Sequence, residues 1–167
     1  MRKTYLAALI ATPLLLAGGP GFAAGLSSAD RRFVDEAAAG GIAEVEEGQL
    51  ALQKAASNDV KQFATQMVTD HTEANDELKQ IAQNKGLHPP SQPTRAERKA
   101  EDGLKRLSGA EFDRHYARQQ VQDHQKTVAL FQKQADSGQD PDLKAYAQKY
   151  LPKLQQHLQM AQSLAKS

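Results

Sequence analysis

From residue 27 onward, apolar residues recur at intervals of three and four, almost never two, over four stretches of roughly seven turns each. That spacing draws a stripe along one face of an α-helix and cannot line one face of a strand. The chain is thereby restricted to all-α folds, and four long amphipathic helices hide their stripes by packing on one another. The first helix is expected over residues 30–56 after an N-cap at Ser27, Ser28 or Asp30, with Val34, Ala37, Gly41, Val45, Gly48, Leu52 and Ala55 inward. Its glycines and alanines predict close helix contact. The second is expected over 59–85, closed by Gly86, with Val60, Phe63, Met67, His71, Ala74, Leu78 and Ile81 inward.

Pro89, Pro90 and Pro93 exclude helix from the next segment. Thr94 to Glu97 then reads as a capping box opening a short helix over about 95–107, and Ser108 to Glu111 repeats the signature before a third long helix over 110–136. The fourth, over 140–165, carries Pro141 in its first turn, where proline is tolerated, and Pro152 inside it, where a kink is expected. Two tight turns and one long connection describe a four-helix bundle with an extra short helix between its second and third long helices. The connection is long enough to return along the bundle, about 20 Å of helix plus about 20 Å of extended chain, and a crossover is therefore favoured.

The first 23 residues read differently. Arg2 and Lys3 precede an apolar run from Leu6 to Ala17, and Gly21-Phe22-Ala23 supplies the small residues of a cleavage site, so residues 1–23 are expected to be a secretory signal and 24–167 the mature domain. The run is too short to span a bilayer. A periplasmic or otherwise exported location follows, without a transmembrane helix in the mature chain. Losing Arg2 and Lys3 takes the 21 basic residues to 19 against 20 acidic. That balance argues against nucleic acid or an anionic membrane as a main partner and leaves an envelope protein or a second copy of the chain. The chain holds no cysteine, which removes thiolate ligation and dithiol redox chemistry.

One wording occurs twice: Val68-Thr69-Asp70-His71 and Val121-Gln122-Asp123-His124. Both histidines fall where the stripe calls for a core residue. Taking ~1.5 Å per residue, His71, His124 and Glu44 lie at mid-height of their helices, Glu47 about 5 Å further along and His157 about 7 Å off centre. Imidazole with carboxylate suits zinc, iron or copper, so His71, His124, His157, Glu44 and Glu47 are the candidate metal ligands. Asp70, Asp123, Tyr116 and Tyr150 are candidates to orient the rings. An aspartate directly before a histidine points about 100° away around the helix, so Asp70 serves a neighbouring helix or solvent rather than His71.

The competing account makes these residues a lock that hydrogen-bonds internally and sets helix register. A ferritin-type di-iron centre is opposed by the sequence, since Glu-x-x-His requires glutamate where Val68, Val121 and Leu154 stand. His88 and His115 read as solvated, and no nucleophile-base pair or phosphate loop is recognisable.

The wording Phe63-Ala64-x-x-Met67-Val68-x-Asp70-His71, Phe112-Asp113-x-x-Tyr116, Val121-x-Asp123-His124-Gln125 and Leu151-Pro152-x-Leu154-x-x-His157-Leu158, with Glu44-Val45-Glu46 upstream, resembles the exported, ferritin-like family of unknown function numbered four-one-four-two. The resemblance implies a periplasmic or envelope ferritin-like bundle and supplies no reaction. Two functional readings follow. The first is a non-enzymatic envelope protein with an interaction or stress-protection role, its histidines structural. The second is a metal-binding protein with a mid-bundle His/Glu site, for metal buffering or redox chemistry.

Overall fold

The computed structural model describes residues 25–166, so the expected signal segment lies outside it. Five helices follow in order: α1 (Ser28–Lys54), α2 (Asn58–Asn84), α3 (Arg95–Lys105), α4 (Gly109–Ser137) and α5 (Pro141–Leu164). Ser27, Ser57 and Asp140 cap α1, α2 and α5 through their side chains, and Thr94 with Glu97 forms the expected capping box on α3. Ser108 makes no such bond: the next residue, Gly109, takes φ 61°, a left-handed turn into α4 in place of a side-chain cap. At the end of α2, Gly86 at φ 66° closes a Schellman motif in which Leu87 donates to the Ala82 carbonyl and Gly86 to that of Gln83.

The long helices form an antiparallel ring. α1 packs on α2 and α4, and α5 packs on α4 and α2. Asp30 at the start of α1 accepts from Gln134 and the Gln139 amide at the end of α4, while Asp113 at the start of α4 accepts from the amides of Ala56 and Ser57. α1 and α4 are therefore antiparallel, which makes α2 and α4 parallel. The segment from Lys85 to Ser108 is the crossover, carrying the chain back along the bundle with α3 laid over α1 and α4. This is the ferritin-like arrangement.

The buried stripe of α1 differs from the expected one. Leu52 is 40% exposed and Val45 only half-buried, and their places inward are taken by Ala51 and Glu44. The reason is the tight α1–α2 contact: a Cβ on Gly48 would stand 2.8 Å from Val68 Cγ2 and 3.2 Å from the Ala64 carbonyl. Backbones that close turn α1 so that small residues, not Leu52, face α2. Pro152 stays within a continuous α5 because it and Gln148, whose carbonyl loses its partner, both face solvent.

The core is split in two. One apolar cluster holds Phe33, Leu78, Phe131, Leu143 and Tyr146; the other holds Phe63, Met67, Phe112, Tyr116 and Ala161. On every long helix a buried polar residue separates them: Glu44 and Glu47 on α1, His71 on α2, Gln120 and His124 on α4, His157 on α5.

Candidate metal centre

The polar layer brings three imidazoles together. Ring centroids of His71, His124 and His157 stand 5.6, 5.5 and 5.4 Å apart, and one nitrogen from each lies within 4.8 Å of the other two. His157 reaches the group although it sits past the middle of α5, because helical side chains lean toward their own N-terminus. α2 and α5 are antiparallel, so His71 and His157 lean toward each other and the expected offset closes.

Two of the rings are held from behind. His157 Nε2 lies 2.8 Å from Asp70 Oδ2, and His124 Nδ1 lies 3.0 Å from the Gln120 carbonyl. Both acceptors take a proton, so the ring N–H points outward, leaving lone pairs on His157 Nδ1 and His124 Nε2. Those two atoms and His71 Nε2 are buried without a hydrogen-bond partner. Burial drives His124 and His157 down to about 4 against the pull of their acceptors, and drives His71 well below the ordinary histidine range, helped by the two neighbouring rings. All three are neutral at pH 7, the form that ligates metal.

Asp70 is ionised: burial raises its pKa, but bonds from Lys153 (2.8 Å) and His157 outweigh that and hold it below the usual carboxylate range. It serves a histidine on the neighbouring helix, as the 100° argument requires. The other residues named as ring partners touch no histidine through a hydrogen bond. Asp123 pairs with Lys126, Tyr150 donates to Glu77, and the Tyr116 hydroxyl is buried unpaired.

The two glutamates flank the cluster. Glu44 Oε1 is 3.6 Å from His124 Nδ1, on the side of the ring away from its lone pair, and Oε2 has no partner. Glu47 accepts from the side-chain amides of Gln119 and Gln120. Burial pushes both carboxyls well above the usual range, and Glu44 adds to the rise at Glu47. The nitrogens alone form the close group. Val68, Val121 and Leu154 pack in apolar surroundings, so the positions a di-iron site would fill with glutamate serve packing. Gln120 and Lys153 escaped the sequence reading, yet each stands four residues before a core histidine, one turn away on the same face.

An ion equidistant from three atoms 4.8 Å apart lies about 2.8 Å from each, that is 4.8 Å divided by √3. Reaching the ~2.0–2.1 Å zinc–nitrogen distance asks each ring to move inward by at most about 0.7 Å. The cavity beside His71 and His157 measures about 30 Å³, room for an ion or a water but not for an organic substrate of ordinary size. Among the described residues no helix is long and apolar enough to cross a membrane.

Solved structures share the bundle. A DUF305 fragment from Deinococcus radiodurans superposes with TM-score 0.74 at 14% identity, covering 85% of this chain and 99% of its own. CopM in the Cu(I)-bound form gives 0.69 at 18%, covering 82% and 95%. A conserved hypothetical protein, rv2844, from Mycobacterium tuberculosis gives 0.65 at 14%, covering 84% and 92%. At these identities the likeness is one of fold. No curated protein sequence matches the chain significantly. A family model does match it over residues 17–164, and the chain belongs to that family, described as a domain of unknown function, DUF4142.

Proposed function

We propose that this protein is an exported metal-binding protein that holds one copper(I) or zinc ion between His71, His124 and His157, for binding or buffering rather than catalysis. The carrying observation is that three imidazoles converge with one nitrogen of each within 4.8 Å of the other two, that each ring keeps a buried nitrogen without a partner, and that two of the rings are held by a hydrogen bond at their other nitrogen. A structural lock would have the rings satisfy one another, and here no ring bonds to another. Three neutral nitrogens with no thiolate suit trigonal copper(I), or zinc with a further ligand. A Cu(I)-bound neighbour with the same bundle is consistent with that choice. Export rests on the N-terminal signal pattern alone.

The test is metal content and copper(I) and zinc titration of protein purified without a histidine tag, beside His71→Ala, His124→Ala and His157→Ala variants whose helicity is checked. One equivalent bound by wild type and lost in each folded variant is expected. Absence of binding, with variants merely less heat-stable, returns the histidines to a structural role and the function to surface interaction.

A further inference from the structure

A buried triad needs a way in. Beneath the crossover, between α1, α4 and the start of α3, lies a recess of about 270 Å³ bordered by Glu36, Glu44, Glu47, Glu97 and Asp123, with Lys126 as the one basic residue on its rim. Lys126 is already paired with Asp123 at 2.9 Å, and Glu36 with Arg32 at 2.6 Å. The recess shares its wall with a second space. Glu36, Gly40, Glu44, Thr127 and Leu130 border both it and the small cavity that touches His71 and His157. The two spaces thus lie on either side of the α1–α4 seam, at the turn of α1 where Gly40 has no side chain. Glu97 leans over that gap, its Oε1 3.7 Å from where a Gly40 Cβ would stand. Glu44, 5% exposed, lies at the junction with Oε2 unpartnered.

Resting on the metal-binding reading, we propose that this acidic recess is the route by which the cation reaches the histidine triad, with the Glu44 carboxyl group passing it from the recess to the imidazoles. The Glu97 and Asp123 carboxylates, at the mouth of a low-dielectric cleft, raise the local cation concentration and the association rate. The Glu44 carboxyl, with a free oxygen beside the triad, takes over the ion's departing water ligands one at a time, so that the ion is never stripped bare in an apolar seam.

The probe is Co²⁺, whose visible absorption reports nitrogen ligation, followed by stopped flow. Two variants leave the triad intact. Glu97→Gln with Asp123→Asn removes charge from the recess, and glutamine at the third position of α3 keeps the capping box. Gly40→Leu plugs the seam; its Cβ makes only ordinary contact, and the variant's helicity and metal stoichiometry are checked before its rates are read. The charge variant is expected to load at least about fivefold more slowly, with weaker dependence on salt. The plug is expected to slow loading and release by the same factor, because one passage serves both directions. An unchanged loading rate in either variant overturns the route while the metal site stands. Failure of wild type to bind Co²⁺ at all, with copper(I) and zinc also failing, overturns the site and the route with it.

Discussion

Asp70→Asn is the substitution that most directly separates a metal centre from a structural lock. Asp70 accepts two short charge-assisted bonds at 2.8 Å, from His157 on one oxygen and Lys153 on the other, and its side chain is 14% exposed. Asparagine keeps the shape and one acceptor but loses the charge. Charge-assisted bonds contribute about 1.5–3 kcal/mol each, yet Lys153 retains water and Glu73, whose carboxylate is 3.8 Å away. The apo protein should therefore lose roughly 1–2 kcal/mol, a fall in Tm of about 3–6 °C for a domain of this size. Metal affinity should suffer separately. The carboxylate makes His157 Nδ1 a better donor and holds the ring's tautomer, and losing such a partner typically weakens binding by about 10–100-fold, or about 1.4–2.7 kcal/mol. Isothermal titration with zinc, or competition with a chromophoric chelator at pH 7, measures this against the apo Tm from calorimetry. An apo Tm lowered as stated with metal affinity within twofold of wild type would refute the reasoning, since Asp70 would then latch α2 to α5 without tuning a ligand.

The pH dependence of the apo protein follows from the buried rings. His124 has a folded value of about 4 against the ordinary 6.5, so its contribution is present above 6.5 and is lost as pH falls toward 4. Relative to His124→Gln, wild type should lose roughly 3 kcal/mol more across that window, seen in urea unfolding at stepped pH; parallel profiles would mean that the ring is protonated when folded. Gly48→Ala should destabilise by about 1–2 kcal/mol through its contacts with Val68 and the Ala64 carbonyl, whereas Gly40→Ala should stabilise by about 0.5–1 kcal/mol, and the reverse order in chemical denaturation would contradict the α1 packing. Pro152→Ala should restore a solvent-facing helix bond and raise stability by about 1–3 kcal/mol; no change in the urea midpoint would show that the proline costs α5 nothing.

Much of this protein is legible before folding is considered. Helix number and type were readable because each amphipathic stripe repeats over roughly seven turns, and local chemistry marked Ser27, Thr94 and Gly86 as boundaries. Residues such as Phe63, Met67 and Leu78, apolar and in phase on their stripe, declared the core. His71, His124 and His157 announced themselves as polar residues on apolar faces. Periodicity could not choose between Leu52 and Ala51 in α1, because both lie within the arc that a 3.6-residue repeat allows. The choice fell to the approach distance at Gly48.

Most partners of the site belong to tertiary structure. Helical phase says which way a residue points but not what stands opposite. That Asp70 serves His157 depends on α2 lying antiparallel to α5, and that Gln120 donates to Glu47 depends on α4 lying antiparallel to α1, whereas the Gln120 carbonyl that holds His124 lies one turn back in the same helix. Depth counted along separate helices left His157 off the common level, because the count ignores the lean of side chains toward their own N-termini, which antiparallel neighbours turn into convergence. Residue types and their phase thus determined that a polar layer would divide an apolar bundle. Helix direction, close approach at small residues and the return of the crossover over α1 and α4 decided that three nitrogens face one another, with an acidic recess beside them, because those relations exist only between helices.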